Sequence, residues 1–167
     1  MANPDADLPQ RVQQSLREAS STLATAESLT GGRLAAAITA VPGASEVFMG
    51  GVVAYASEVK VRLLGVPPEV VAEHGVVSAA CAAAMARGVR LLTGATYGVA
   101  TTGVAGPSEQ EGKPVGTVFV AVDGPHGGPT LALELSGRRE QIVASTCTEA
   151  LAALASVITP AEETGLR

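Results

Sequence analysis

The chain has 167 residues, a length that suits one domain with a single hydrophobic core. Hydrophobic residues make up 47% of it and charged residues 16%, a balance that is typical of a globular chain and excludes a disordered one. The formal net charge of −5 and the aromatic content of 2% argue against a nucleic-acid partner, because such surfaces need a basic stripe and rings that stack on bases.

The sequence also argues against a membrane partner. No apolar run approaches the roughly 18 residues of a membrane span, and the N-terminus lacks a basic region followed by an apolar one. We therefore expect a cytoplasmic protein with one domain over residues 1–167, an ordered core over residues 9–158 and frayed ends at 1–7 and 162–167. Cys81 and Cys147 have no companion at metal-ligand spacing, so we predict two core cysteines and neither a zinc site nor a disulfide.

The hydrophobic periodicity predicts the elements in chain order. A helix over residues 9–20 is followed by a buried strand over 21–27, a helix after Gly31 that reaches Val41, a strand over 47–55 and two short helices over 57–64 and 69–74. An alanine-rich helix over 78–92 with Ser78 as its N-cap, strands over 96–102, 115–122 and 129–135, and a helix over 138–158 follow. Strands alternate with helices early and pair late, which predicts an α/β fold: a single-domain layered sandwich in which helices cover both faces of a mixed sheet.

Three of the predicted strands run into segments that can carry chemistry. Ligands bind beyond the carboxyl ends of the strands in such sheets. The segment Thr25-Ala26-Glu27-Ser28-Leu29-Thr30-Gly31-Gly32 opens a helix whose unpaired N–H groups can hold a phosphate or an oxyanion beside Ser28. The alternative is an ordinary N-cap in which a hydroxyl accepts one of those N–H groups. The strand over residues 50–55 and the turn over residues 102–106 end at the same edge, and we expect all three segments to form one pocket.

A serine needs a base to act as a nucleophile, and neither histidine of the chain is a convincing partner. Lys60 is the attractive base, because it follows Tyr55 by five residues and a lysine in a partly desolvated pocket loses affinity for its proton. We predict a dyad of Ser28 and Lys60, with Tyr55 donating to the oxyanion or orienting the substrate. The amides of Thr30 and Gly31 are the predicted oxyanion hole. The alternatives are a solvated amine at Lys60 and a half-buried ring at Tyr55.

Several motifs follow one another over nearly the whole chain, from about residue 12 to about residue 154. They are Ala26-Glu27-Ser28-Leu29-Thr30-Gly31-Gly32, Val41-Pro42-Gly43-Ala44-Ser45, Gly50-Gly51-Val52-Val53-Ala54-Tyr55, Lys60-Val61-Arg62-Leu63-Leu64-Gly65-Val66, Gly75-Val76-Val77-Ser78 and Thr102-Gly103-Val104-Ala105-Gly106-Pro107. In this order they resemble the CinA C-terminal domain family. That family includes nicotinamide-nucleotide amidohydrolases, which convert nicotinamide mononucleotide and water to nicotinate mononucleotide and ammonia in pyridine-nucleotide salvage.

The resemblance implies a role for each matching residue. It implies Ser28 as nucleophile and Lys60 as general base, with Tyr55 and Thr102 assisting in the pocket. It implies a nucleotide substrate whose ribose phosphate meets Arg139 and the glycine turns, here Thr30, Gly31, Gly32, Gly51, Gly103 and Gly106. No metal or organic cofactor is implied. The alanine-rich helices offer a smooth packing surface, and we expect a homo-oligomer.

The chain departs from the family pattern at Leu29, in the segment over residues 108–112 and at Val143. Leu29 stands where the family often has cysteine, a change we expect to be mild because this side chain need not face the substrate. The acidic segment over residues 108–112 replaces further glycines and would repel a phosphate if it faced one, and we interpret the neighbouring Lys113 as a surface charge. Val143 stands where the family has a second arginine, for which Arg138 is a possible substitute.

These observations predict an amidohydrolase that deamidates nicotinamide mononucleotide by a Ser-Lys mechanism. One alternative is a non-catalytic nucleotide- or phosphate-binding module in which Lys60 supplies only charge. Another is a competence- or DNA-damage-related interaction domain that makes no direct DNA contact. A third is an enzyme that acts on a different small amide.

Overall fold

The structure, a computed structural model, describes residues 6–158, and the predicted frayed ends lie almost wholly outside this range. In chain order the elements are α1 (Leu8–Glu18), β1 (Leu23–Glu27), α2 (Arg33–Thr39), β2 (Phe48–Val53), α3 (Ser57–Arg62), α4 (Pro68–His74), α5 (Ala79–Thr93), β3 (Tyr97–Gly103), β4 (Thr117–Asp123), β5 (Thr130–Glu134) and α6 (Arg139–Ala155). Each predicted helix and strand is present.

The differences from prediction lie at the ends of elements. α2 stops at Thr39 and does not reach Val41, and a 3₁₀ turn over Ala44–Glu46 that the sequence pattern did not indicate follows it. The predicted N-cap of α5 is confirmed, because the Ser78 hydroxyl accepts a hydrogen bond from the N–H of Cys81 at 3.1 Å.

The five strands form one mixed sheet in the order β2-β1-β3-β4-β5. β1 pairs in parallel with β2 on one side and β3 on the other, while β4 is antiparallel to both β3 and β5. The predicted mixed sheet is therefore confirmed. Because β1, β2 and β3 are parallel, their carboxyl ends meet at one edge of the sheet.

Helices cover both faces of the sheet and bury one core on each. The first core joins α1, α2 and α6 to one face, with Val12, Leu16, Leu34, Ile38, Ile142 and Leu154 packed on Leu23, Val99, Val118 and Val120. The second core lies under α4 and α5 and contains Leu64, Val76, Met85 and Val89 beside Ala24, Ala26, Ala100 and Ala121. Cys147 belongs to the first core and Cys81 to the second, as predicted, and both thiols are free.

Small side chains let α5 approach the sheet closely. A methyl group on Gly98 would lie 2.1 Å from the carbonyl oxygen of Ala86, so only glycine permits this contact. The close approach sets the segment before α5, which contains Val76 and Val77, against the end of β3. None of the helices within residues 6–158 is long and apolar enough to span a membrane.

Candidate active site

Ser28 and Lys60 meet at the carboxyl edge of the sheet. Ser28 directly follows β1, and its N–H donates to the carbonyl of Thr101 at 3.0 Å, which holds the turn against β3. Lys60 lies on α3, the helix that leaves the neighbouring strand β2. Its Nζ is 2.9 Å from Ser28 Oγ, within the distance for direct proton transfer.

The amine of Lys60 is buried, with only 1% of the residue exposed. Nζ donates to the carbonyl of Ala54 at 2.7 Å and contacts the carbonyl of Tyr55 at 3.4 Å. A neutral amine has two N–H groups and one lone pair, so the two carbonyls can take both hydrogens and leave the lone pair directed at the Ser28 hydroxyl. The solvated amine considered from sequence is therefore wrong.

Burial lowers the pKa of Lys60 below its ordinary value, and the charges of an ionised Cys81 and of Glu111 oppose this shift in part. Burial also raises the pKa of the Cys81 thiol to about 11, so this thiol is neutral near pH 7. No carboxylate within residues 6–158 forms an ion pair with Lys60. The environment thus favours the neutral amine, the form that can accept a proton.

A cavity of about 170 Å³ opens over the pair. Its walls come from the ends of β1 and β3, the segments before α3 and α5, the loop after β3 and the start of α6: Ser28, Leu29, Tyr55, Lys60, Val76, Val77, Thr102, Gly103, Val104, Ala105, Gly106, Ser108, Gln110 and Arg139. Nine site residues were predicted besides Ser28 and Lys60, and five of them line this cavity: Tyr55, Thr102, Gly103, Gly106 and Arg139. The predicted convergence of the turn at Ser28 with the turn over residues 102–106 is present.

Tyr55 and Arg139 form the outer rim of this cavity. Tyr55 is 61% exposed, so its ring is more open than the half-buried alternative. Its hydroxyl oxygen accepts a hydrogen bond from Arg139 Nη2 at 2.9 Å, which leaves the hydroxyl hydrogen free to donate. Arg139 also donates through Nη1 to the carbonyl of Gly106, so one guanidinium joins the rim to the glycine turn.

Thr102 lies in the wall of the cavity, and its hydroxyl group already donates a hydrogen bond within the protein. It is 1% exposed, and its hydroxyl donates to the carbonyl of Val76 at 2.7 Å. This bond ties the end of β3 to the segment before α5. Thr102 therefore has its hydrogen in use, and only its oxygen lone pairs remain available to a substrate.

The acidic loop is bonded to the wall of the cavity through Glu111, which does not itself line the cavity. Glu111 accepts hydrogen bonds from the N–H groups of Val76 at 3.1 Å and Val77 at 2.8 Å. Lys113 donates to the carbonyl of Val77, so our interpretation of Lys113 as a plain surface charge is wrong. The loop segments that line the cavity are Ser108 and Gln110, which are both uncharged.

The predicted anion cradle at the start of α2 is already filled by the protein. Glu27 is 1% exposed, and its carboxylate accepts the N–H groups of Leu34 at 2.8 Å and Ala35 at 3.1 Å. A carboxylate at this position neutralises the partial positive charge of the helix start. A phosphate cannot accept from these two N–H groups while Glu27 holds them, so Leu34 and Ala35 do not contribute to the predicted phosphate binding at this turn.

Thr30, Gly31, Gly32 and Gly51 do not line this cavity, and their contacts with substrate stay predictions. The N–H of Gly31 donates to the Ser28 carbonyl at 3.1 Å, so this amide is unavailable to an oxyanion. The Thr30 hydroxyl is fully buried 2.8 Å from the hydroxyl of Thr101.

Backbone conformation and close packing explain why glycine occurs at positions 32 and 51. Gly32 has a φ of +98° at the N-cap of α2, a conformation that favours glycine. Gly51 lies within β2, where a methyl group would come within 2.3 Å of Thr25 Oγ1. Leu29 borders the cavity, but its side chain is 5% exposed and belongs to the first hydrophobic core.

Sequence reasoning missed Val76, Val77, Ser108 and Gln110 as wall residues. The motif Gly75-Val76-Val77-Ser78 was recognised, but its apolar residues carry no chemical signal of a site. Ser108 and Gln110 lie in the loop that was considered only for its charge.

Fold and site together define a three-layer α/β domain with a serine–lysine pair at the carboxyl edge of its sheet. A family model of the CinA C-terminal domain matches residues 5–158, and the chain belongs to this family. A CinA-like protein of Frankia casuarinae is 56% identical over 127 residues, which cover 76% of this chain and 29% of the relative. A CinA-like protein of Anaeromyxobacter dehalogenans is 48% identical over 146 residues, which cover 87% of this chain and 36% of the relative. The chain thus spans about a third of the length of these relatives.

Solved structures agree with this membership. The crystal structure of a CinA superfamily protein from Klebsiella pneumoniae matches with a TM-score of 0.89 at 36% identity, covering 93% of this chain and 98% of that one. The crystal structure of a competence or damage-inducible protein from Enterobacter asburiae matches with a TM-score of 0.90 at 30% identity, covering 95% of this chain and 100% of that one. The names of these relatives describe the family and give no reaction.

Proposed function

We propose that this domain is an amidohydrolase that converts nicotinamide mononucleotide and water to nicotinate mononucleotide and ammonia. The observation that carries the proposal is the 2.9 Å contact between Lys60 Nζ and Ser28 Oγ, made by a buried amine whose pKa is lowered by burial. A serine hydroxyl beside a neutral amine is the arrangement of an activated nucleophile.

In the acylation step, Ser28 Oγ attacks the carboxamide carbon while its proton passes to Lys60 Nζ. The tetrahedral intermediate collapses when the carbon–nitrogen bond breaks, and protonated Lys60 gives its proton to the leaving nitrogen, which departs as ammonia. An ester between Ser28 and the nicotinoyl group remains. Lys60 is neutral again at this point and can act a second time.

Water then completes the reaction. Lys60 removes a proton from a water molecule as its oxygen attacks the ester carbon, and the same proton returns to Ser28 Oγ when the ester bond breaks. The products are the carboxylic acid, which ionises, and the free serine. One water is consumed for each ammonia released, so the cycle balances.

The amide of Gly103 is our candidate for an oxyanion donor in place of Gly31. The carbonyl of Thr101 accepts from the turn after β1, whereas the N–H of Val104 donates to Thr117 on the other side at 2.8 Å. Backbone groups alternate in direction along a strand, so Gly103 directs its N–H to the same side as Thr101, where Ser28 lies. A donor at this place typically contributes roughly 3–4 kcal/mol to the transition state, and the free hydroxyl hydrogen of Tyr55 is a second candidate.

The size of the cavity supports a small carboxamide group on a larger molecule. Its volume of about 170 Å³ is below the range of roughly 300 Å³ and more that encloses a whole drug-sized ligand. The reacting ring would be enclosed, and the ribose and phosphate would extend past Tyr55 toward Arg139. A cytoplasmic location suits this substrate, since pyridine nucleotides are recycled there.

A purely phosphate-binding role has less support. The N–H groups of Leu34 and Ala35 at the start of α2, a place that the sequence suggested for an anion, are occupied by Glu27. A phosphate-binding module would also have no need of a buried amine without a carboxylate partner, which costs free energy of folding.

The test is an ammonia-release assay with nicotinamide mononucleotide, nicotinamide riboside and free nicotinamide. We expect turnover to be highest with the mononucleotide. Binding of the mononucleotide without ammonia release would overturn the enzymatic proposal and favour the binding module. Release from another small amide alone would retain the mechanism and change the substrate.

We also propose that the domain self-associates. Exposed apolar side chains at Met49 and Val53 on the edge strand β2, at Leu91 and Leu92 on α5, and at Leu63 directly after α3 offer surfaces for this. Light scattering after size-exclusion chromatography would give the mass directly, and a monomer at all concentrations would contradict the proposal.

A further inference from the structure

A second cavity adjoins the one that contains Ser28. Its volume is about 290 Å³, and its walls are Arg33, Arg138, Arg139, Glu140 and Val143. Arg139 lines both cavities, so its guanidinium lies between the space over Ser28 and this second space. Three of the five wall residues are arginines, which makes the second cavity a cationic one.

The three arginines differ in how far their charge is already used. Arg138 pairs with Glu140 at 3.1 Å, and Arg139 binds the hydroxyl of Tyr55 and the carbonyl of Gly106. Arg33 makes one long contact, from Nη1 to the carbonyl of Thr30 at 3.4 Å. No carboxylate in the described part of the chain lies within ion-pair distance of Arg33. Arg33 is therefore the cation of this cavity with the most charge left for a ligand.

The turn before α2 makes room for this guanidinium. A methyl group on Gly31 would lie 3.4 Å from Arg33 Nη1, so the glycine underlies the charged group. Val143, where the sequence resemblance leads one to expect an arginine, forms the apolar part of the same wall and is 3% exposed. Arg33, on α2, thus places a cation in the second cavity, to whose wall Val143, on α6, contributes none.

We propose that Arg33 is a specificity-determining residue that binds the phosphomonoester of the substrate in this second cavity. The inference rests on the proposed function, because it assumes a nucleotide whose amide reaches Ser28. A guanidinium presents paired N–H donors that match two phosphate oxygens, and Arg139 at the junction supplies a second cation. The N–H groups at the start of α2 cannot substitute for Arg33, since Glu27 occupies them.

The experiment compares wild type with Arg33→Gln, which keeps the length of the side chain and removes its charge. We expect the ratio of kcat/KM for nicotinamide mononucleotide to that for nicotinamide riboside to fall about tenfold, mainly through KM for the mononucleotide. Arg33→Lys restores the charge without the paired donors and should give an intermediate ratio. Arg87→Gln on the exposed face of α5 is the matched control for the loss of one positive charge. An equal effect of Arg33→Gln on both substrates, or none on either, would overturn the proposal.

A binding measurement separates this inference from the proposed reaction. Ribose 5-phosphate and ribose are titrated into each protein in a calorimeter, with no turnover required. Wild type should bind the phosphorylated sugar more tightly, and Arg33→Gln should bind it about tenfold more weakly than wild type. This result would uphold the phosphate site even if no ammonia were released from any nucleotide. Equal binding of ribose 5-phosphate by the two proteins, or none by wild type, would end the proposal.

Discussion

The carboxylate of Glu111 accepts a hydrogen bond from the N–H of Val77 at 2.8 Å, across 34 residues of chain. This bond fastens the loop after β3 to the segment before α5, and both segments line the cavity over Ser28. The same carboxylate carries a negative charge that raises the pKa of Lys60 against the larger effect of burial. Glu111 therefore acts on both the shape and the charge of the site.

Replacing Glu111 by Gln should move the pH profile of the reaction. Without the negative charge the pKa of Lys60 falls further, and because the neutral amine is the active base, the acidic limb of kcat/KM moves to lower pH. Glu109→Gln in the same loop is the matched control. A limb that stays in place, or moves to higher pH, would show that Glu111 does not influence the base.

Replacing Glu27 by Gln should destabilise the fold. Two N–H groups at the start of α2 then face an amide with one acceptor and one donor group, and we expect the free energy of unfolding to fall by about 1–3 kcal/mol. The control is Glu46→Gln, whose side chain is 63% exposed in its contact with Arg17. That change should stay within about 0.5 kcal/mol in urea unfolding. Equal effects of the two substitutions would contradict the role assigned to Glu27.

Tyr55 and Arg139 should be energetically coupled in catalysis. We expect Tyr55→Phe to lower kcat/KM by about 10- to 100-fold, less than a fully buried oxyanion donor because the ring is solvent-accessible. In a double-mutant cycle with Arg139→Gln the coupling energy should be about 0.5–3 kcal/mol. Strictly additive effects would mean that the 2.9 Å contact between them has no part in the reaction.

Replacing Lys60 by Met should change how stability depends on pH. The pKa of Lys60 in the folded protein lies below its ordinary value of 10.5, so between these two values the unfolded chain binds more protons than the folded one. The free energy of unfolding of the wild type gains from this group as pH rises through that window, and the variant lacks the gain. The difference in unfolding free energy, wild type minus variant, should therefore grow with pH. A constant difference up to pH 10.5 would mean that burial does not lower the pKa of Lys60.

The sequence predicted the architecture well because periodicity and turn residues are local signals. Alternation of strands and helices up to β3, followed by the β4–β5 hairpin, was sufficient to give the mixed sheet. Ser28 and Lys60 were predicted to meet since each follows a parallel strand, and such ends share one edge of the sheet.

The details of the site depended on contacts that no local pattern reports. Glu27 fills the helix start that the glycines of the turn suggested for an anion, and Glu111 reaches across to Val76 and Val77. Arg33 lies over Gly31 and lines a cavity together with residues of α6. Each of these depends on where a side chain points after the layers have packed, which sequence spacing does not determine.

The most direct test of the central claim is kcat/KM for ammonia release from nicotinamide mononucleotide by Ser28→Ala, beside wild type and the exposed-site control Ser45→Ala. The mechanism predicts a loss of about a thousandfold or more for Ser28→Ala, because within residues 6–158 the hydroxyl that contacts Lys60 Nζ is that of Ser28, and near wild-type turnover for the control. Circular dichroism should show both variants folded. Ammonia release by Ser28→Ala at the wild-type rate would contradict the mechanism.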